Sequence, residues 1–145
     1  MGEIAAGEHH HPTPRTMLDG EHRRLGAQMD RIGGWWRPWH YGDPLAEYWA
    51  VREAVSLGDV STLGKMIVAG PDALELLERL YPTKVATIKP GRARYVLLLN
   101  ERGYVLDDGL IACEDESQTR YSLTFTSGGS TTAELWVRDW ADTWG

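Results

Sequence analysis

The sequence predicts an α+β fold with a mostly antiparallel sheet flanked by helices. The stretch 92–112, RARYVLLLNERGYVLDDGLIA, contains two apolar strand-like segments separated only by the short turn at 100–103. Strands joined by so short a turn pair antiparallel. Residues 119–126 alternate as a further strand, and the helical patterns lie apart from these strands. The predicted order is therefore helix, helix, strand, helix, three strands, helix.

The first part of the chain is predicted to hold a tail and a helix. Residues 1–14 are small, polar and proline-containing, which is typical of a disordered tail. The tract His9-His10-His11 lies within it, without carboxylate or cysteine partners at ligand spacing, so no metal site is predicted. Residues 16–29 are predicted to be helical because three apolar residues share one helical face: Leu18, Leu25 and Met29.

Residues 33–42, GGWWRPWHYG, are too rich in glycine and proline for a helix and are predicted to be a loop. Their aromatic side chains either plug the core or form the wall of a ligand pocket. The next helix begins with Asp43 as its cap and Pro44 as its first residue, and it ends near Gly58. One face carries an amphipathic stripe of Leu45, Tyr48, Trp49, Arg52 and Val55.

Residues 59–69 are predicted to form a strand, and a short helix follows from Gly70 until Pro82 ends it. After the strand at 119–126, Thr131 and Glu134 are predicted to form a capping box for a final helix. This helix carries an apolar stripe of Trp136, Val137, Trp140 and Trp144. A stripe of this kind indicates either truncation or docking on a partner.

Asp107 and Asp108 lie in the predicted strand before Gly109 and interrupt its apolar pattern. Aspartate is depleted in strands and is costly to bury. One interpretation is a β-bulge or strand end with both carboxylates in water. The other is a functional site.

The composition excludes several classes of function. The net charge of −6 argues against a nucleic-acid partner, and no segment approaches the ~18 apolar residues of a membrane helix. The single cysteine, Cys113, cannot form an internal disulfide and indicates a reducing cytoplasm. Seven tryptophans in 145 residues are many for a chain of this length, and a second chain is one way to bury them.

Three motifs in this order resemble the glycine cleavage system T-protein family, the aminomethyltransferases. They are GGWWRPWHYG with EYWAVREAVSLGDVSTLGK, then VAGPDALELLERLY, then KPGRARYVLLLNERGYVLDDG. The segments DVSTLGK and VLDDG resemble most the T-protein-like half of the sarcosine oxidase α subunit and related demethylases. The resemblance covers residues 15–144 and implies that 15–145 is the folate-binding domain, a partial T-protein-like fold lacking the C-terminal barrel.

The resemblance implies tetrahydrofolate as cofactor and passage of a one-carbon unit, typically to 5,10-methylene-tetrahydrofolate. Asp107 matches the family's aspartate beside the reactive folate nitrogens and is the implied catalytic residue. A carboxylate there stabilises a cationic iminium and relays a proton from a folate nitrogen. The implied cofactor-binding residues are Leu63, Tyr95, Asp107, Asp108 and Thr126, the last at a position where many relatives have asparagine.

Family members are longer and line the folate channel with parts that this chain lacks. The resemblance therefore implies that a second chain supplies the remainder, as in a split enzyme, with a truncated chain as the simpler alternative. The leading function is tetrahydrofolate-dependent one-carbon transfer from or to a small molecule. The alternative is a non-catalytic folate-binding or assembly subunit of a flavin-dependent demethylase complex.

Overall fold

The computed structural model describes residues 12–144, which separate into two compact units with the boundary between Leu57 and Gly58. The first unit contains helix α1 (Asp19–Arg24), strands β1 (Gln28–Ile32) and β2 (Trp35–His40), and helix α2 (Pro44–Glu53). The two strands form an antiparallel ribbon. Residues 1–11, with the histidine tract and most of the predicted tail, lie outside the described residues.

The prediction of a loop at 33–42 was wrong, because most of this stretch is strand β2. Gly33 and Gly34 have positive φ angles of 57° and 81° and connect Ile32 directly to its pairing partner Trp35. Two such residues are the preferred turn of a hairpin, and aromatic residues favour strands. The glycines therefore mark the turn, and the aromatic run belongs to a strand.

The helix predicted over 16–29 is short, since α1 ends at Arg24 and Met29 lies in β1. Leu18 and Leu25 are about half exposed, so they do not form a buried helical face. The start of α2 is as predicted, with the Asp43 side chain accepting the backbone N–H groups of Leu45 and Ala46. None of the described residues of α2 is buried, so its apolar stripe faces outward in this chain.

The second unit is a four-stranded antiparallel sheet with helices on one face, which confirms the predicted α+β class. Its strand order is β3–β6–β5–β4. In chain order the elements are β3 (Gly64–Ala69), α3 (Ala73–Leu80), a 3-10 turn (Val85–Thr87), β4 (Arg92–Leu99), β5 (Val105–Cys113), β6 (Arg120–Phe125) and α4 (Ser130–Trp144). Alternate residues of β4, β5 and β6 point to the helices and form the core; they are Val96, Leu98, Ile111, Cys113, Tyr121, Leu123 and Phe125.

Helix α4 begins at Ser130, so the predicted capping box of Thr131 and Glu134 was wrong. The carbonyl of Gly129 accepts the N–H of Ala133, and Glu134 instead pairs with Arg138 at 3.0 Å. The helix buries Ala133 and Val137 against the sheet. None of the helices in the described part of the chain is long and apolar enough to cross a membrane.

The tryptophan stripe of α4 is half-buried. The rings of Trp136 and Trp140 meet edge to face with centroids 5.9 Å apart, and Trp140 and Trp144 follow at 4.6 Å. The Arg79 guanidinium of α3 lies 5.1 Å from the centre of the Trp144 ring. We call Trp136, Trp140 and Trp144 the tryptophan surface.

The loop between β5 and β6 is organised by the Asp115 carboxylate. Its oxygens accept the Thr119 hydroxyl at 2.6 Å, the Thr119 N–H at 2.9 Å and the Arg120 N–H at 3.1 Å. The Thr119 hydroxyl is the main cause that lowers the pKa of Asp115, and partial burial opposes it. Because the pKa is lowered in the folded state, these bonds stabilise the fold fully above the ordinary aspartate pKa and lose that effect as the pH falls through the lowered pKa of the folded protein.

Asp115→Asn is therefore expected to destabilise the protein at pH 7 and to have a smaller effect in acid, below the pKa of Asp115 in the folded protein, which lies under the ordinary aspartate value of about 3.9. Urea unfolding followed by tryptophan fluorescence at both pH values measures the difference between variant and wild type. Glu116→Gln, one residue along in the same loop, is the control for loss of an exposed charge. An equal loss of stability at both pH values would contradict this account.

Candidate functional site

Asp107 lies inside β5, which runs without a break through the Asp107-Asp108-Gly109 segment. Its pairing partner is Leu98, but the next pair joins Leu99 to Val105, so β5 has a bulge immediately before Asp107. The β-bulge, which was part of one interpretation of the aspartate pair, is therefore present. The Asp107 carboxylate is nevertheless not in water, because the residue is only 6% exposed and faces the helices.

Thr126 binds both oxygens of the Asp107 carboxylate. Its backbone N–H donates to Oδ2 at 3.0 Å and its hydroxyl donates to Oδ1 at 2.6 Å. The same hydroxyl accepts the N–H of Gly129 at 2.9 Å. These bonds link the strand end, the loop before α4 and the carboxylate in one network.

Gly129 lies directly against this carboxylate. A Cβ atom at position 129 would be 2.4 Å from Oδ1 and 2.9 Å from Oδ2 of Asp107, which is closer than real Cβ contacts. Because α4 begins at the next residue, the negative charge lies near the positive end of a helix dipole. The sequence signal for this arrangement is the pair of glycines immediately before the helix.

The start of α4 is in turn held against the start of β3. The hydroxyls of Thr62 and Ser127 form a hydrogen bond of 2.7 Å, and Thr62 is only 3% exposed. A Cβ atom at Gly64 would lie 2.4 Å from the Cβ of Ser130. Gly64 thus permits the start of β3 to approach the start of α4 closely, and this approach fixes the loop that carries Thr126.

Tyr81, the residue after α3, was missed by the sequence analysis. It is 5% exposed, and its burial, followed by the charge of Asp107, raises the pKa of its phenol well above the ordinary value. The phenol is therefore neutral at physiological pH. Tyr81 also lines a cavity of about 370 Å³ together with the tryptophan surface. No spacing in the sequence links Tyr81 to Asp107, since the two come together only in the tertiary fold.

Asp108 lies on the other face of the sheet, because successive strand residues point to opposite sides. Its Oδ2 accepts the hydroxyl of Tyr95 at 2.9 Å. This hydrogen bond is the main cause that raises the pKa of the Tyr95 phenol. Tyr95 is 61% exposed, and the side chains of Leu97 and Leu110 are exposed beside it. This face offers an aromatic ring, a carboxylate and apolar surface.

Four of the five residues predicted from the sequence thus form two pairs. The structure brings Asp107 together with Thr126, and Tyr95 together with Asp108, but it places the two pairs on opposite faces of the sheet. Leu63 precedes β3, is half-buried and follows Thr62 in the segment that holds the α4 loop. Among the described residues, no group of three or more histidine, cysteine or acidic side chains is placed to hold a metal ion.

Comparison with known proteins matches residues 18–143 to the GCVT N-terminal domain. An aminomethyltransferase of Symbiobacterium thermophilum is 40% identical over 85% of this chain and 32% of its own length. An aminomethyltransferase of Streptomyces coelicolor is 42% identical over 72% of this chain and 28% of its own length. The sarcosine oxidase subunit alpha of Corynebacterium sp. (strain U-96) is 33% identical over 94% of this chain and 15% of its own length.

The solved structure of the glycine cleavage system aminomethyltransferase T from Bartonella henselae superposes with a TM-score of 0.85 at 30% identity. The match covers 90% of this chain and 36% of that one, so the chain spans about a third of the aminomethyltransferases it matches. The family match, the sequence identities and the shared fold agree. The chain belongs to the GCVT N-terminal domain family and matches part of the T-protein fold.

Proposed function

We propose that this chain is the folate-binding part of a tetrahydrofolate-dependent transferase of one-carbon units, either an aminomethyltransferase or a demethylase. The observation that carries the proposal is the buried Asp107 carboxylate, fixed beside a β-bulge and a helix start within a domain of this family. Buried acidic side chains are costly and concentrate at functional sites. A cytoplasmic location is part of the same proposal, supported by a single cysteine, Cys113, that is buried and unpaired.

The donor and acceptor chemistry of the site fits a reduced folate. A carboxylate offers about four acceptor positions, and Thr126 occupies two of those on Asp107. Its other acceptor positions match N–H donors such as those of a reduced pterin, and since Asp107 is 6% exposed in this chain, such a ligand would require an opening beside it. Tyr95 and Leu110 expose a flat, largely apolar surface beside Asp108, which suits an aromatic ring with a polar edge. Asp107 would hold the reacting nitrogens of a folate on the helix-facing side of the sheet, whereas Tyr95 and Asp108 lie on the opposite face and would serve a folate bound there instead.

Tetrahydrofolate supplies the nitrogens that carry the one-carbon unit. The Asp107 carboxylate would balance positive charge on the transferred carbon and accept a proton from a folate nitrogen. Its attachment to Thr126 keeps it in place while the charge develops, so little reorganisation accompanies the reaction. Gly129 and the α4 loop exclude water from one side of it.

We propose that a second chain carries the remaining T-protein-like part and completes the pocket. The half-buried tryptophan surface of α4 beside its cavity supports this proposal. Size-exclusion chromatography with light scattering is carried out on this chain alone and on its mixture with a second chain that comprises the remaining part. The mixture is expected to form a heteromer that binds tetrahydrofolate. A monomer that binds tetrahydrofolate unaided would count against the second chain.

The second candidate is a non-catalytic folate-binding or assembly subunit of a flavin-dependent demethylase complex. It is favoured by the identity of 33% to a sarcosine oxidase subunit alpha over 94% of this chain. Both candidates predict folate binding. They differ in whether Asp107 takes part in the chemistry, which the transfer rate of Asp107→Asn decides.

A further inference from the structure

We propose that the outer edge of β3 is an interface between two copies of this chain, which pair along it to form a symmetric dimer with one continuous sheet. The inference goes beyond the proposed function, because it depends neither on a folate nor on the second chain proposed above. It is carried by the open edge of β3, by the residues of this strand and by a groove beside it.

Strand β3 forms one edge of the sheet, since β6 is its only pairing partner in the part of the chain that the structure describes. The N–H of Gly70 donates to the carbonyl of Thr119 at 2.9 Å, which extends the β3–β6 ladder by one residue. Bonded residues alternate along an antiparallel pair. The backbone groups of three residues therefore point away from β6 and toward the open edge: Lys65, Ile67 and Ala69. Among the described residues nothing pairs with these groups, so an added strand finds three donors and three acceptors there.

The residues of β3 do not discourage such pairing. Natural edge strands are commonly protected by charges, prolines or bulges. The sequence of β3 is GKMIVA, with a regular register to β6 and a single charge, Lys65. The Lys65 ammonium binds the carbonyls of Val60 and Ser61 at 3.1 and 3.0 Å. The opposite edge strand, β4, instead begins with two exposed arginines, Arg92 and Arg94. Association is therefore expected along β3 and not along β4.

A second copy is a complementary strand for this edge. With a two-fold axis at Ile67, this residue lies opposite itself, and Lys65 lies opposite Ala69 of the second copy. Every outward residue of both copies then donates one hydrogen bond and accepts one. The two lysines lie at opposite ends of the paired segment, so like charges do not face each other. The pairing also covers the Ile67 side chain, which is 49% exposed in the single chain.

A groove on the helix side of β3 gives the second copy a place for a side chain. It has a volume of about 510 Å³ and is lined by Val68 and Ala69 of β3, by the start of α3 and by Trp144 of α4. Met66 and Val68 face the helices, since both pack against the core. In the two-fold pairing, Met66 of the second copy lies opposite Val68 and therefore on the same side as the groove. Because methionine adapts to irregular apolar gaps, a second copy supplies both the strand and the side chain.

Size-exclusion chromatography with light scattering tests the dimer on the full chain, over about a hundredfold range of concentration. The wild-type mass is expected to rise with concentration from 16.3 kDa toward twice that value. Ile67→Lys and Ile67→Glu are each expected to remain monomeric, because like charges would face each other across the axis. An equimolar mixture of the two variants is expected to regain the dimer, since a lysine then faces a glutamate.

The matched controls are Leu135→Lys and Leu135→Glu. Leu135 is 57% exposed on α4 and does not line the groove, so both variants are expected to dimerise as the wild type does. A wild-type chain that stays monomeric at every concentration, or that associates only with a different protein, overturns the proposal. Single Ile67 variants that still dimerise overturn it as well, and so does a mixture that stays monomeric.

Ile67→Cys decides the case in which a charged variant does not fold, as judged by circular dichroism. Hydrogen-bonded residues of antiparallel strands have Cα atoms about 5.5 Å apart, within the range that a disulfide spans. Mild oxidation is expected to link two copies covalently, whereas the wild type is expected to give no covalent dimer because Cys113 is buried. An oxidised Ile67→Cys protein that runs as a monomer on a denaturing gel overturns the proposal.

Discussion

Asp107→Asn is expected to lower the rate of one-carbon transfer by about 10²–10⁴-fold while tetrahydrofolate binding changes little. The neutral amide cannot balance a developing positive charge and is too weakly basic to accept a proton. The fold tolerates this change, because the amide has the shape of the carboxylate. Its oxygen keeps the Thr126 N–H as a donor, and its NH₂ group donates to the Thr126 hydroxyl, which has a free lone pair.

The measurement compares the transfer rate and the tetrahydrofolate affinity of the assembled wild-type and variant proteins. Asp139→Asn removes an equal charge from the exposed face of α4 and serves as the control. Urea unfolding of each variant separates loss of chemistry from loss of fold. Turnover close to wild type in Asp107→Asn would reject the catalytic role and leave the assembly subunit as the better account.

The hairpin of β4 and β5 could be predicted from the sequence because local signals agree there. An apolar run, a turn at Asn100 and Gly103 and a second apolar run all specify the same pairing. The β1–β2 hairpin was not predicted, because Pro38 and the glycines indicated a loop. The aromatic residues between them, which favour a strand, were given less weight. Among the described residues the outer edge of β2 is bridged at Trp36, by Arg15, and carries no further strand, so a proline at position 38 is tolerated there.

The site could be predicted only in part. A pair of aspartates inside a strand indicated Asp107, and strand alternation alone places Asp108 on the opposite face. The partners of Asp107 could not be found in this way. Thr126 is 19 residues from Asp107, and the Thr62–Ser127 bond that supports it spans 65 residues. Such contacts depend on which strands are neighbours in the sheet, and no local spacing encodes the order β3–β6–β5–β4.

Gly109→Ala is expected to destabilise the protein by about 3 kcal/mol or more, the upper end of the cost of overpacking a core. A Cβ atom at position 109 would lie 1.8 Å from the carbonyl oxygen of Thr124 and 2.8 Å from its carbonyl carbon. These are backbone atoms of β6, paired with β5 over this stretch, so no flexible side chain can move away. The strands have to separate where Asp107 meets Thr126, so the substitution is expected to disrupt that hydrogen-bonded network as well.

Urea unfolding measures the loss of stability, and Gly58→Ala is the matched control. An added Cβ at position 58 meets nothing within 4 Å, so the control is expected to change stability by no more than about 0.5 kcal/mol. Equal stability of the two variants would mean that β5 and β6 are further apart at Gly109 than in the structure. The Asp107–Thr126 hydrogen bonds could not then form at the distances given, because they depend on the same two strands. The glycine after the aspartate pair therefore has a structural role: it lets β5 approach β6 closely enough for Thr126 to reach the carboxylate.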